Sequence, residues 1–225
     1  MDALIREQIE YYDARAPEYD RTSTPPGDFL APFGRAQVEA LDHFAPSGDA
    51  LEIASGTGSW TVELLRHASS VTALDASAGM IRIARAKVGD DTRVRFVRAD
   101  VLSWRPDRRY DVVVFANWRS HLPRGAFAAF WEIVAEAIRP NGRVFFADEL
   151  EDAWRNEPLR EEVVGEAATS VVLRSLLDGR TFRVVKVFWD PAELRERLAA
   201  LGWLVEIHRV GPFFWAEAKR SKRSM

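Results

Sequence analysis

Histidine changes charge closest to neutral pH and is the usual general base where a hydroxyl or amine must lose a proton. The chain has four. His43 and His67 fall on helical patterns away from strand ends and His208 in a late strand, whereas His121 follows an apolar run directly, in Asn117-Trp118-Arg119-Ser120-His121-Leu122-Pro123. His121 is therefore the candidate general base; its plainer role is to cap the next helix or brace its own loop. Asp75 and Asp100 also close apolar runs, at positions from which a carboxylate reaches a ligand at a sheet edge; alone, each reads as a helix cap. Upstream lies Leu51-Glu52-Ile53-Ala54-Ser55-Gly56-Thr57-Gly58, where an apolar strand breaks into small residues and glycines. Such a turn lets a ligand lie against bare backbone beside a helix N-terminus.

These groups need a sheet to carry them. Strands and helices alternate from Ala50 to Ala147 as parallel βαβ units, with strands ending at Ala54, Asp75, Arg98, Ala116 and Ala147. Crossover helices are expected over 60–68, 78–88 and 124–138, the last stopped by a turn at Arg139-Pro140-Asn141-Gly142, and a helix over 36–44 leads in. Asp190 as N-cap and Pro191 as first residue open a helix to Leu201; residues 203–210 and 213–219 then form an antiparallel pair about Gly211-Pro212. Leu150 to Trp189 is too long for an ordinary connection. Its first half, 155–168, is acidic and helical in pattern, and its second reads as a hairpin around Leu177-Asp178-Gly179-Arg180. We take 150–189 as an inserted lid within one domain of 225 residues; the alternative is a hairpin that extends the sheet.

Two ligand classes lose ground at the glycine turn. A phosphate loop requires Gly-Lys-Ser/Thr, but Ser59 and Trp60 follow Gly58; a dinucleotide turn prefers a third glycine or alanine where Thr61 stands. The stretch resembles instead the first motif of the class I S-adenosylmethionine (SAM) dependent methyltransferases, an acid, small residues and Gly-x-Gly, here Glu52, Ala54, Gly56 and Gly58. Ala54 departs from the family's usual glycine. The resemblance extends through Asp75-Ala76-Ser77-Ala78-Gly79-Met80, Ala99-Asp100-Val101 and the fourth and fifth strands, covering residues 11 to 149 in order.

That resemblance implies an α/β fold: a Rossmann-like seven-stranded, mostly parallel sheet with helices on both faces and an antiparallel C-terminal pair. It implies SAM as cofactor and S-adenosylhomocysteine (SAH) as product. Asp75 would accept from the ribose hydroxyls and Asp100 from the adenine amino group, with Tyr19, Glu52, Ala54, Gly56, Gly58, Trp60, Thr61, Ala76, Met80, Val101 and Asn117 completing the cofactor set. Tyr11 to Asp20 resembles the family's opening segment, so residues 1–35 form an N-terminal cap; Tyr12 and Tyr19 would share a helix face unless Pro17 interrupts it. Tyr12, Trp118, Arg119, His121 and Arg180 are the candidate acceptor contacts, and Trp60 and Trp118 the candidate aromatic walls. No metal is expected, since Asp148 and Glu149 have no nearby histidine in sequence and read as solvated.

Composition limits the partners. The chain has 31 basic and 34 acidic residues, a net charge of −3, and no cysteine, which excludes thiol nucleophiles, disulfides and cysteine-ligated metals. No apolar run approaches membrane-spanning length, so a cytoplasmic protein is expected. The basic cluster Lys219 to Ser224 reads as a solvated tail. No Asn-Pro-Pro-Tyr-like element follows the fourth strand and no recognition domain is appended, so a small-molecule acceptor methylated on oxygen or nitrogen is expected, by a monomer or homodimer. The alternatives are a methyltransferase acting on RNA or protein and a non-catalytic SAM-binding protein.

Overall fold

A computed structural model describes residues 3–23, 31–151, 162–163 and 170–221. Five parallel strands carry the sheet, and the four inner ones hold the near-continuous apolar runs of strands covered on both faces. The five are β1 (Asp49–Ile53), β2 (Ser70–Asp75), β3 (Val94–Arg98), β4 (Tyr110–Ala116) and β5 (Ile138–Glu149). With β9 (Trp203–Val210) and β10 (Phe213–Arg220) they form one seven-stranded sheet in the order β3-β2-β1-β4-β5-β10-β9. β10 alone runs opposite to the other six strands, pairing Phe213–Ala218 against Glu149–Val144 of β5. Order reverses at β1, so the crevice between the ends of β1 and β4 is where such a sheet accepts a ligand.

Alternation along each strand builds two cores. Leu51, Ile53, Val113, Phe115, Val144 and Phe146 face α6 (Phe127–Ala137) and α7 (Pro191–Ala200), around the fully buried Trp131 and Trp203. Ala50, Val112, Val114, Phe145 and Ala147 face the other way, onto α3 (Ala31–Phe44) and α4 (Ser59–Leu64). α7 begins as expected, the Asp190 carboxylate accepting from the Ala192 and Glu193 amides ahead of Pro191.

Several boundaries differ from the sequence reading. β5 begins at Ile138, so Arg139 to Gly142 belongs to an irregular strand start where Ile138 pairs with Tyr110, and not to a turn. Gly142 is required there, since a Cβ would lie 2.8 Å from the Asp111 carbonyl. The helix expected from 124 starts as a 3-10 turn, Arg124–Ala126. Most of the acidic segment 155–168 lies outside the described residues; its described part, β6 (Glu162–Val163), is a strand and not a helix, because it pairs with β7. β7 (Val171–Ser175) and β8 (Thr181–Val185) do form the hairpin, and with β6 they make a separate three-stranded sheet, so the hairpin does not extend the main one.

The N-terminal segment breaks where Pro17 stands: α1 (Ala3–Arg15) gives way to a 3-10 turn, Ala16–Glu18, then α2 (Tyr19–Ser23). Tyr12 and Tyr19 still meet, ring centroids 6.4 Å apart. α1 packs on the hairpin, Tyr11 against Val172, Leu176 and Val184 in a small core of its own.

Candidate active site

The glycine turn after β1 depends on left-handed backbone. Ala54, Gly56 and Gly58 have φ of 55°, 54° and 82°. At Ala54 the chain bears a conformation that costs a Cβ roughly 1 kcal/mol. At Gly58 no side chain fits, because its Cβ would lie 2.9 Å from that of Ala84 on α5 (Ala78–Val88). Beneath the turn the buried Glu52 accepts from the Thr61 hydroxyl at 2.5 Å. Burial raises the Glu52 pKa to about 8, the Thr61 bond opposing and the nearby Asp75 charge adding to it. Glu52 and Thr61 thus brace the loop from below.

Asp75 ties the first two strand ends together. One carboxylate oxygen accepts from the Gly56 amide and the other from the Ser77 amide, each at 2.8 Å. Its pKa is raised by burial against the pull of those amides and that of Ala76. Over these ends opens a cavity of about 850 Å³, mouth included. Ala54, Gly56, Asp75, Ala76, Met80, Asp100, Val101, Asn117, Trp118 and His121 line its floor and walls, and Ile5, Gln8, Ile9, Tyr12 and Tyr19 its roof. Carboxylates pin this roof down: Asp13 accepts from the Ser77 hydroxyl and the Gly79 amide at 2.8 and 2.7 Å, and Asp20 meets Thr57 at 2.5 Å and Lys87 at 2.9 Å.

Not every sequence candidate reaches the cavity. Gly58, Glu52 and Thr61 shape the turn without lining it. Trp60 packs against Phe145 on the far face, 6.1 Å between centroids, so it is no wall of the cavity. Arg180 pairs with Asp178 in the exposed hairpin turn. Arg119 is fully buried behind the site, 3.8 Å from Asp148. Asp148 and Glu149 are not solvated as expected: Asp148 is fully buried, accepting from the Ser120 and Glu149 amides at 2.7 and 2.8 Å, and Glu149 pairs with Lys186.

Sequence reasoning missed Gln8, Arg15, Arg174 and Lys186. Gln8 is buried on α1, one turn before Tyr12, and that four-residue spacing was the available signal. Burial lowers the Lys186 pKa to about 8, so the amine is still mostly cationic at pH 7. Lys186, Arg174 and Arg15 all act electrostatically on His121, whose pKa burial and these charges hold well below the ordinary value. The imidazole is therefore neutral at neutral pH.

A seven-stranded sheet of this order, with a glycine turn at the reversal point and an acid at the end of the neighbouring strand, defines the class I SAM-dependent methyltransferases, and the chain belongs to that family. A family model described as methyltransferase domain matches residues 50–142. The DhpI–SAH complex is 42% identical with TM-score 0.83, covering 98% of each chain, and the DhpI–SAM–HEP complex is 44% identical with TM-score 0.83, covering 97% of this chain and 99% of that one. Demethylmenaquinone methyltransferase of Lactiplantibacillus plantarum is 30% identical over 72% of this chain and 69% of its own length. That of Mycobacterium sp. strain JLS is 26% identical over 90% and 88%. The protein is a SAM-dependent methyltransferase with SAM as its cofactor. Among the described residues no helix is long and apolar enough to cross a membrane.

Asp75→Ala is expected to weaken SAH binding about 10- to 100-fold, through loss of a carboxylate that lines the cavity and of the bond that holds Gly56 in place. Calorimetric titration checks this; unchanged affinity would remove Asp75 from the cofactor site.

Proposed function

We propose that this methyltransferase transfers the methyl group of SAM to an oxygen or nitrogen of a small acceptor that carries an anionic group. One observation supports this most directly: Arg15 of α1 and Arg174 of β7 both act electrostatically on Tyr12 and His121, which line the cofactor cavity, and Lys186 at the end of the hairpin acts on His121. Lys186 is ion-paired with Glu149, and the positive field of Arg15 and Arg174 beside the cavity favours an anion there. Arg15 also lies over the Tyr19 ring at 4.9 Å, which holds its charge at the cavity wall. Reaction then requires the acceptor lone pair in line behind the sulfonium methyl with water excluded, a matter chiefly of positioning. The DhpI–SAM–HEP complex, similar over nearly the whole chain, holds HEP together with SAM. The relatives named for demethylmenaquinone are less similar, and the cationic frame favours a smaller, charged acceptor.

The test is SAH release from SAM against small carboxylic, phosphoric and phosphonic acids, each paired with its neutral ester or amide. Turnover is expected with acids, falling at least tenfold in Arg174→Ala. Equal turnover of the neutral partners would overturn the anionic reading and leave the cofactor assignment intact.

A further inference from the structure

Four hydrogen bonds join α1, the loop after β4 and the end of β8 into a closed ring beside the cavity. Gln8 Nε2 donates to the His121 carbonyl at 3.1 Å, and Gln8 Oε1 accepts from the Val185 amide at 2.9 Å. His121 Nδ1 lies 2.8 Å from the Val185 carbonyl. A carbonyl only accepts, so Nδ1 carries a proton; in the neutral imidazole Nε2 then carries a lone pair. Tyr12 Oη lies 2.9 Å from that Nε2, and the phenol must be the donor. Both ring nitrogens of His121 are thus engaged, and the phenolic oxygen of Tyr12 is left with lone pairs at the cavity it lines.

We propose that Tyr12, not His121, is the residue that meets the methyl acceptor, that it receives the hydrogen bond of an acceptor O–H or N–H, and that His121 acts only through it as the terminus of a two-step proton relay. The proposal rests on the anionic-acceptor reading above and narrows it to acceptors bearing such a proton. As the acceptor lone pair bonds to the methyl carbon, the C–S bond breaks and its electron pair stays on sulfur as the neutral thioether. The acceptor's proton passes to Tyr12 Oη while Tyr12's own proton passes to His121 Nε2. The imidazolium so formed still donates from Nδ1 to Val185, and the acceptor's anionic group offsets what Arg15, Arg174 and Lys186 add to the burial that keeps His121 neutral. Gln8 is the positioning residue, holding the His121 backbone and the β8 edge at one separation.

Nitrogen-15 NMR of histidine-labelled protein saturated with SAH tests the wiring, with His121 assigned by its loss in His121→Gln among only four histidines. The expected signature is a protonated Nδ1 and an unprotonated, hydrogen-bonded Nε2. Tyr12→Phe should move the Nε2 resonance toward that of a free lone pair and leave Nδ1 in place, and inorganic phosphate added to the wild-type complex should shift Nε2. A protonated Nε2, or resonances indifferent to both changes, overturns the proposal. With an acceptor from the acid panel, Tyr12→Phe and His121→Gln are each expected to lower kcat about 100-fold with KM changed far less, the double variant being no slower than either single. Additive losses would show separate roles and overturn the relay. Failure of SAH to bind at all would instead refute the cofactor site, an outcome distinct from either.

Discussion

Replacing Asp148 by alanine is expected to destabilise the protein by about 3–5 kcal/mol, because it strands a buried cation. Arg119 is fully buried, none of its three guanidinium nitrogens has a hydrogen-bond partner, and the carboxylate at 3.8 Å is the compensating charge beside it. The same carboxylate accepts from the Ser120 and Glu149 amides, so its loss also frees the backbone that leads into His121. The guanidinium lies over Phe214 at 5.3 Å, in a wall already apolar. Arg119→Met leaves Asp148 with the Ser120 and Glu149 amides and the nearby Lys186 cation, so it should cost less than Asp148→Ala, and the two changes combined should recover most of the loss. Urea unfolding of the three variants measures this; a loss below about 1 kcal/mol for Asp148→Ala would mean that the charge of Arg119 is compensated elsewhere.

Glu52→Gln is expected to stabilise the protein increasingly as pH rises. In the unfolded chain this carboxyl ionises near its ordinary 4.5, whereas burial holds it protonated to about 8 in the folded protein. Between those values the unfolded state binds fewer protons, so the wild type loses stability with rising pH, by at most about 1.4 kcal/mol per unit. Glutamine keeps an oxygen for the Thr61 hydroxyl and carries no such dependence. The variant and wild type should match near pH 4 and diverge in the variant's favour by pH 8. A stability difference that does not change with pH would show Glu52 to be ionised in the fold.

Much of the fold could be read directly from the chain. Apolar runs ending at Asp75 and Ala116, the Asp190-Pro191 helix start and the Leu177-to-Arg180 hairpin turn are local patterns, each expressing the backbone preferences of residues adjacent in sequence. The glycine turn and its strand-end acids were legible for the same reason, and they point to the cofactor. The misplaced boundaries fall where tertiary pairing prevails over propensity, as at Ile138, drawn into β5 by Tyr110, and at Glu162–Val163, paired with β7.

By itself the sequence determined the strands, the glycine turn and, through the resemblance they carry, the cofactor, because period and turn chemistry are written over spans of a few residues. Only the tertiary structure decided which side chains line the cavity. Gln8 and Tyr12 meet His121 across 113 and 109 residues, and His121 meets Val185 across 64. Trp60 and Arg119, adjacent in sequence to site residues, were turned away to the far face and into the core. Successive residues on a strand or tight loop point in opposite directions, and long-range packing chooses which of them the cavity receives.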